Sequence, residues 1–178
     1  MTDQTQQALP QGVSAQQFEA ALAKLRGLLG ADRVLTSDEQ LAPYCKVMMS
    51  APDEEHRPGA AILATTVEEV QGVLKICNEF KTPVWPISTG RNFGYGSAAP
   101  GTRGQIVLDL KHMNKIIEVD PVLCTALVEP GVTYQQLWNY LKENDIPLWL
   151  SCPAPSAIAG PVGNTVDRGV GYTPYGEH

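Results

Sequence analysis

The stretch that decides the fold is "AAILATTVEEVQGVLKICNEFKTPVWPISTG", Ala60 to Gly90. A short apolar run, "AAILATT", is followed by Thr66 and, three residues on, Glu69, the spacing of a helix capping box. Val70, Val73, Leu74, Cys77 and Phe80 then recur at helical intervals. After "KTP" the apolar run resumes as "VWPIS". Strand, helix and strand within some 30 residues form a βαβ unit, whose two strands lie parallel in one sheet. The loop that follows, "TGRNFGYGSAAPG", thus begins at the carboxyl end of a parallel strand, where α/β sheets bind ligands.

Upstream, Ser14 with Gln17 makes another capping box, and Phe18, Ala21, Leu22, Leu25, Leu28 and Leu29 mark one apolar helix face that Gly30 ends. The segment from Ala31 to Gly59 reads as a short strand or turn plus loop. Downstream, "QIVLDL" (Gln105 to Leu110), "KIIEVD" (Lys115 to Asp120) and "TALVEPG" (Thr125 to Gly131) read as strands separated by turn residues. Thr133 with Gln136 caps a third helix, "YQQLWNYLKEND", and "IPLWLS" is expected to return as a strand. From Cys152 on, the chain reads as a Gly- and Pro-rich loop. The fold class is α+β, with a βαβ start and a mixed sheet. Since a loop-like tail of this kind rarely closes a domain, the chain is expected to be the beginning of a longer protein.

Composition narrows the function. With 178 residues and 43% hydrophobic content the chain can bury an ordinary core, while a formal charge of -6 and a pI near 5.0 argue against nucleic acid as a partner. No apolar stretch approaches the roughly 20 residues of a membrane helix, and the amino terminus lacks the basic and apolar regions of a signal peptide. No membrane role is expected. A cytoplasmic address is the default reading. Cys45, Cys77, Cys124 and Cys152 form no C-x-x-C, and His56, His112 and His178 are scattered, so no metal site is expected.

Two glycine-rich loops carry the functional signal. The first matches neither G-x-G-x-x-G nor a Walker A loop. Its glycines let the backbone approach a ligand and converge N–H groups on an anion, with Ser88, Thr89, Asn92 and Arg91 as further donors. The second, "AIAGPVGNTVDRGVG", sets Gly160, Gly163, Gly169 and Gly171 among Asn164, Thr165 and Arg168. Between them "VEPGVT" offers another tight backbone approach, with Glu129 as a hydrogen-bond acceptor. Each loop alone could serve only the fold. Together they suit a large anionic cofactor, a dinucleotide, without specifying which.

"PISTGRNFGYGSAAP", "LVEPGVTY" and "GNTVDRGVGYTPYGEH", in this order and at these distances, resemble the FAD-binding domain (PCMH type) of the vanillyl-alcohol oxidase flavoprotein family. The likeness runs from about Tyr44 to His178. It implies an N-terminal helix and connecting segment over 1–53, an incomplete FAD-binding domain over 54–178, and a substrate-covering domain that is absent. It further implies that Ser88, Thr89, Gly90, Arg91 and Asn92 wrap the FAD pyrophosphate and that Gly94 and Tyr95 continue toward flavin and substrate. In the family the tyrosine at Tyr95 donates a hydrogen bond to the substrate's phenol oxygen, which makes it the candidate catalytic residue. Glu129, Pro130, Gly131, Pro153, Gly160, Gly163, Asn164, Arg168, Gly171 and Tyr172 match segments lining the isoalloxazine and adenine parts.

Alcohol-oxidase members carry an aspartate in the segment reading "SCPAPSA" here. This sequence has Ala154 or Ser156 instead, which points to the dehydrogenase branch acting on 4-cresol-type phenols. The implied reaction takes hydride from a para-alkylphenol, forms a quinone methide and hydrates it, with electrons leaving to a cytochrome c subunit. A homo-oligomeric full-length protein and a periplasmic address are also compatible with the resemblance. The alternatives are an oxygen-using oxidase of a phenolic alcohol of the vanillyl alcohol or eugenol type, and a catalytically silent FAD-binding module.

Overall fold

The computed structural model describes residues 7–47, 50, 52–91, 98–151, 156–167, 169 and 171. The βαβ unit forms as its pattern requires, with β2 (Ala60–Leu63), α3 (Val67–Glu79) and β3 (Val84–Ile87) in sequence. Both strands pair parallel to β4 (Ile106–Asp109), which inserts between them, and β1 (Val34–Leu35) adds antiparallel to β2. The order β1-β2-β4-β3 makes this a mixed sheet with β3 at one edge. That edge position tolerates Pro86, which has no N–H to give to a further strand.

Period-two alternation sends the two faces of β2 and β4 into different cores. Ala60, Ile62, Ile106 and Leu108 meet Phe18, Leu22, Leu25 and Leu29 of α1 (Ala15–Leu29) and Val73 and Cys77 of α3. Ala61 and Val107 face the other way, against Leu41, Tyr44, Ile87 and Ala98. The amino-terminal helix is therefore part of the main core. Leu28, on the apolar spacing, is 42% exposed. It lies over Gly72, where a Cβ would come within 2.6 Å of it.

Caps settle the helix starts. Ser14–Gln17 and Thr133–Gln136 form complete capping boxes for α1 and for α4 (Tyr134–Glu143). At α3 the expected box is only half made, because Thr66 accepts the Glu69 N–H but the Glu69 carboxylate reaches one residue further back. It accepts from Thr65 N at 2.8 Å and pairs with Arg33 at 2.8 Å. Burial works against that carboxyl, but these donors win and hold it below the usual range.

The rest of the described chain forms a separate antiparallel hairpin, β5 (Ile116–Asp120) and β6 (Thr125–Val128), then α4. The connection expected as a short strand or turn plus loop holds β1 together with short helical turns at Ala31–Arg33, Ala42–Tyr44 and Asp53–His56 and α2 (Asp38–Leu41). Two expectations fail. "IPLWLS" makes no strand: Ile146 N bonds back to Leu141 O and Leu148 N to Ile146 O, Pro147 has no donor, and the segment instead lines an open cleft of about 640 Å³ beside Trp138. The carboxyl-terminal stretch is not all loop, since α5 (Pro161–Val166) forms, with Pro161 presetting the first helical φ.

Candidate functional site

Residues leaving the carboxyl ends of the parallel strands build the site. Ser88 follows β3 directly, then Thr89 and Gly90, whose φ of 64 lies in the left-handed region that a side chain disfavours. A Cβ on Gly90 would also meet Ala98 Cβ at 2.9 Å, so the turn closes only with glycine. Arg91 stands exposed beyond it.

The second loop comes to the first. A Cβ on Gly160 would lie 3.2 Å from Ser88 Oγ and 3.4 Å from Thr89 Cγ2, and one on Gly163 would lie 2.7 Å from Ser88 Oγ. The side-chain-free face of α5 thus sits on the Ser88–Thr89 turn. Residues more than seventy positions apart are thus in contact, so a ligand held by one loop would also meet the other.

The middle segment joins them. A Cβ on Gly160 would also lie 3.0 Å from Val132 O, and one on Gly131 would meet the carbonyl oxygens of Lys111 and Leu110 at 2.5 and 2.6 Å. Gly131 N donates to Met113 O at 2.7 Å, which seats this turn on the chain leaving β4. Pro130 is half-buried beside it. The Glu129 carboxylate meets main chain: its Oε2 accepts from Lys115 N at 2.7 Å.

Asn164 is the most pointed observation. Its Nδ2 is buried without a hydrogen-bond partner among the described residues, a costly state for an amide. Its Oδ1 lies where a side chain on Gly169 would go, and Gly169 N bonds to Asn164 O at 2.7 Å. Gly171 is half-buried. Asn92, Gly94, Tyr95, Pro153, Arg168 and Tyr172 lie outside the described residues, as does Ala154.

The sequence reading passed over one group at this edge. Asp109, Tyr44 and Lys111 meet at the end of β4. The available signal was a carboxylate closing the otherwise apolar run "IVLD", a residue type rarely buried unless paired. Among the described residues no three His, Cys, Asp or Glu side chains gather as a metal site.

Two glycine-rich segments in contact, and a buried amide nitrogen without a partner among the described residues, suit a cofactor with a diphosphate and many acceptor atoms, and the comparisons with known proteins agree. Residues 58–177 match the FAD binding domain family, and the chain belongs to it. It is 63% identical, over all 178 of its residues, to the 4-cresol dehydrogenase [hydroxylating] flavoprotein subunit of Pseudomonas putida, of which it spans 34%. A crystal structure of p-cresol methylhydroxylase with substrate bound superposes with a TM-score of 0.92 at 64% identity, covering 96% of this chain and 33% of that one. The 4-ethylphenol oxidase of Gulosibacter chungangensis, in its isoeugenol complex, gives 0.88 at 34% identity over 96% of this chain and 32% of its own. The chain therefore spans about a third of the length of these relatives. Its fold is the α+β fold of PCMH-type FAD-binding proteins, and FAD is the cofactor of the family.

Proposed function

We propose that this chain is the cofactor-holding part of an FAD-dependent oxidoreductase that acts on para-alkylphenols of the 4-cresol type. The observation that carries the reading is the 63% identity to a 4-cresol dehydrogenase flavoprotein subunit along the whole chain, through both glycine loops. In this reading the Ser88–Arg91 turn, Gly160, Gly163 and Asn164 hold the diphosphate and neighbouring acceptors from two sides, with Asn92 continuing the first loop. When bound, FAD supplies a two-electron acceptor that no side chain offers.

Tyr95 donates a hydrogen bond to the phenol oxygen, which favours the phenolate and the release of hydride from the benzylic carbon. The substrate is left as a quinone methide, and water adds to it to give the benzylic alcohol. A cytochrome c subunit takes the electrons, and the full-length protein assembles as a homo-oligomer. The test is turnover of 4-cresol by the full-length protein with Tyr95→Phe. A fall in kcat is expected, and unchanged turnover would remove Tyr95 from the reaction.

A second reading is supported by the 4-ethylphenol oxidase neighbour at 34% identity, in which oxygen is the acceptor. Mixing the reduced full-length protein with oxygen separates the two. Slow reoxidation fits the dehydrogenase, and reoxidation as fast as turnover fits the oxidase.

A further inference from the structure

Asp109 ends the central parallel strand and is 2% exposed. Alternation places it on the sheet face of Ala61 and Val107, where Tyr44 packs. Its Oδ2 accepts from Tyr44 Oη at 2.7 Å and from Lys111 Nζ at 2.9 Å, and its Oδ1 accepts from Lys111 N at 3.0 Å. The Lys111 ammonium also lies 3.4 Å from Tyr44 Oη and 5.8 Å from the centre of its ring. A buried carboxylate so supplied fixes the turn that follows β4.

That turn adjoins two of the candidate cofactor segments. Asp109 is in register with Ile87, and Leu110 N donates to Ile87 O at 3.0 Å, so the chain leaving β4 runs beside Ser88. On its other side, Gly131 sits directly on the carbonyls of Leu110 and Lys111. A carboxylate is thereby buried at the strand end beside which the Ser88–Arg91 turn departs, a turn whose glycine and donors suit an anion. Like charges held close in a poorly screened site repel appreciably.

We propose that Lys111 is a positioning residue of the cofactor edge, whose ammonium cancels the charge of Asp109 so that this carboxylate can hold the turn without repelling the cofactor's diphosphate. The inference rests on the FAD reading above. It assigns Lys111 an effect through Asp109, with no contact to the cofactor required.

The experiment is calorimetric titration of FAD into the full-length apoprotein at low and moderate salt, with thermal melting of each apoprotein as the fold control. Lys111→Met is expected to weaken FAD binding roughly tenfold at low salt and less at moderate salt. Lys111→Arg should keep wild-type affinity, and the double variant Asp109→Asn, Lys111→Met should recover most of the loss. Lys111 is half-exposed, so the methionine variant is expected to fold; Lys111→Gln, which removes the charge but keeps a donor, carries the same prediction if it does not. Wild-type affinity in the charge-removed variants would overturn the inference, as would a double variant that binds as weakly as Lys111→Met. Wild-type apoprotein that takes up no FAD would instead sink the cofactor reading, and this inference with it.

Discussion

Ser88 Oγ stands where a side chain on Gly163 would have to go, 2.7 Å from its ideal Cβ position. The contact joins the turn after β3 to α5 and so brings the two glycine-rich segments together. Gly163→Ala in the full-length protein is expected to weaken FAD binding at least about tenfold, the scale of a small overpacking cost. Helix propensity pushes the other way, since alanine is favoured over glycine by ~1 kcal/mol inside a helix. Adding Ser88→Gly should relieve the clash and recover part of the affinity, read by the same titration.

Tyr44 predicts an alkaline weakness. Burial first, then the hydrogen bond and the charge of Asp109, push its phenol well above the ordinary 10.0. The folded protein therefore keeps a proton that the unfolded chain releases above pH 10. Stability from this group is whole below that pH and is lost as pH rises past it, by up to about 1.4 kcal/mol per pH unit. Urea unfolding between about pH 9 and 11 should show a shallower decline for Tyr44→Phe than for wild type. Parallel declines would contradict the assignment.

Phe18, 0% exposed, ties α1 into the core of the parallel sheet. Phe18→Ala is expected to cost about 3–5 kcal/mol. Because the helix shares that core, denaturant unfolding followed by circular dichroism and by tryptophan fluorescence should shift together. A separate early transition of the helix would show that α1 is an appendage.

The cysteines should differ in reactivity. Cys77 is 2% exposed and burial pushes its thiol up to about 11, whereas Cys124 is exposed on the β5–β6 turn. At pH near 8, iodoacetamide should label Cys124 in the native protein and spare Cys77, as peptide mass spectrometry would report. Labelling of Cys77 at a matching rate would mean that the core opens locally.

Much of this was legible in the chain. The capping pairs at Ser14 and Thr133 and the short apolar runs "AAIL" and "IVLD" are local signals, and each produced the element it implied. "IPLWLS" misled because an apolar run announces burial against something without saying that a strand is available to pair with it. Asp109 escaped notice for a related reason: its worth lies in Tyr44, sixty-five residues earlier in the chain, and distance in sequence hides such a partner.

By itself the sequence determined the strand-helix-strand unit, the helix starts and the two donor-rich loops, because hydrophobic period, caps and glycine act over a few neighbouring residues. Only the tertiary structure decided that β4 enters between β2 and β3, that Gly160 and Gly163 close on Ser88, and that a buried carboxylate pairs with its lysine at the end of β4. Those relations arise when distant segments compete to bury surface and satisfy polar groups together, and no short window of sequence contains both partners.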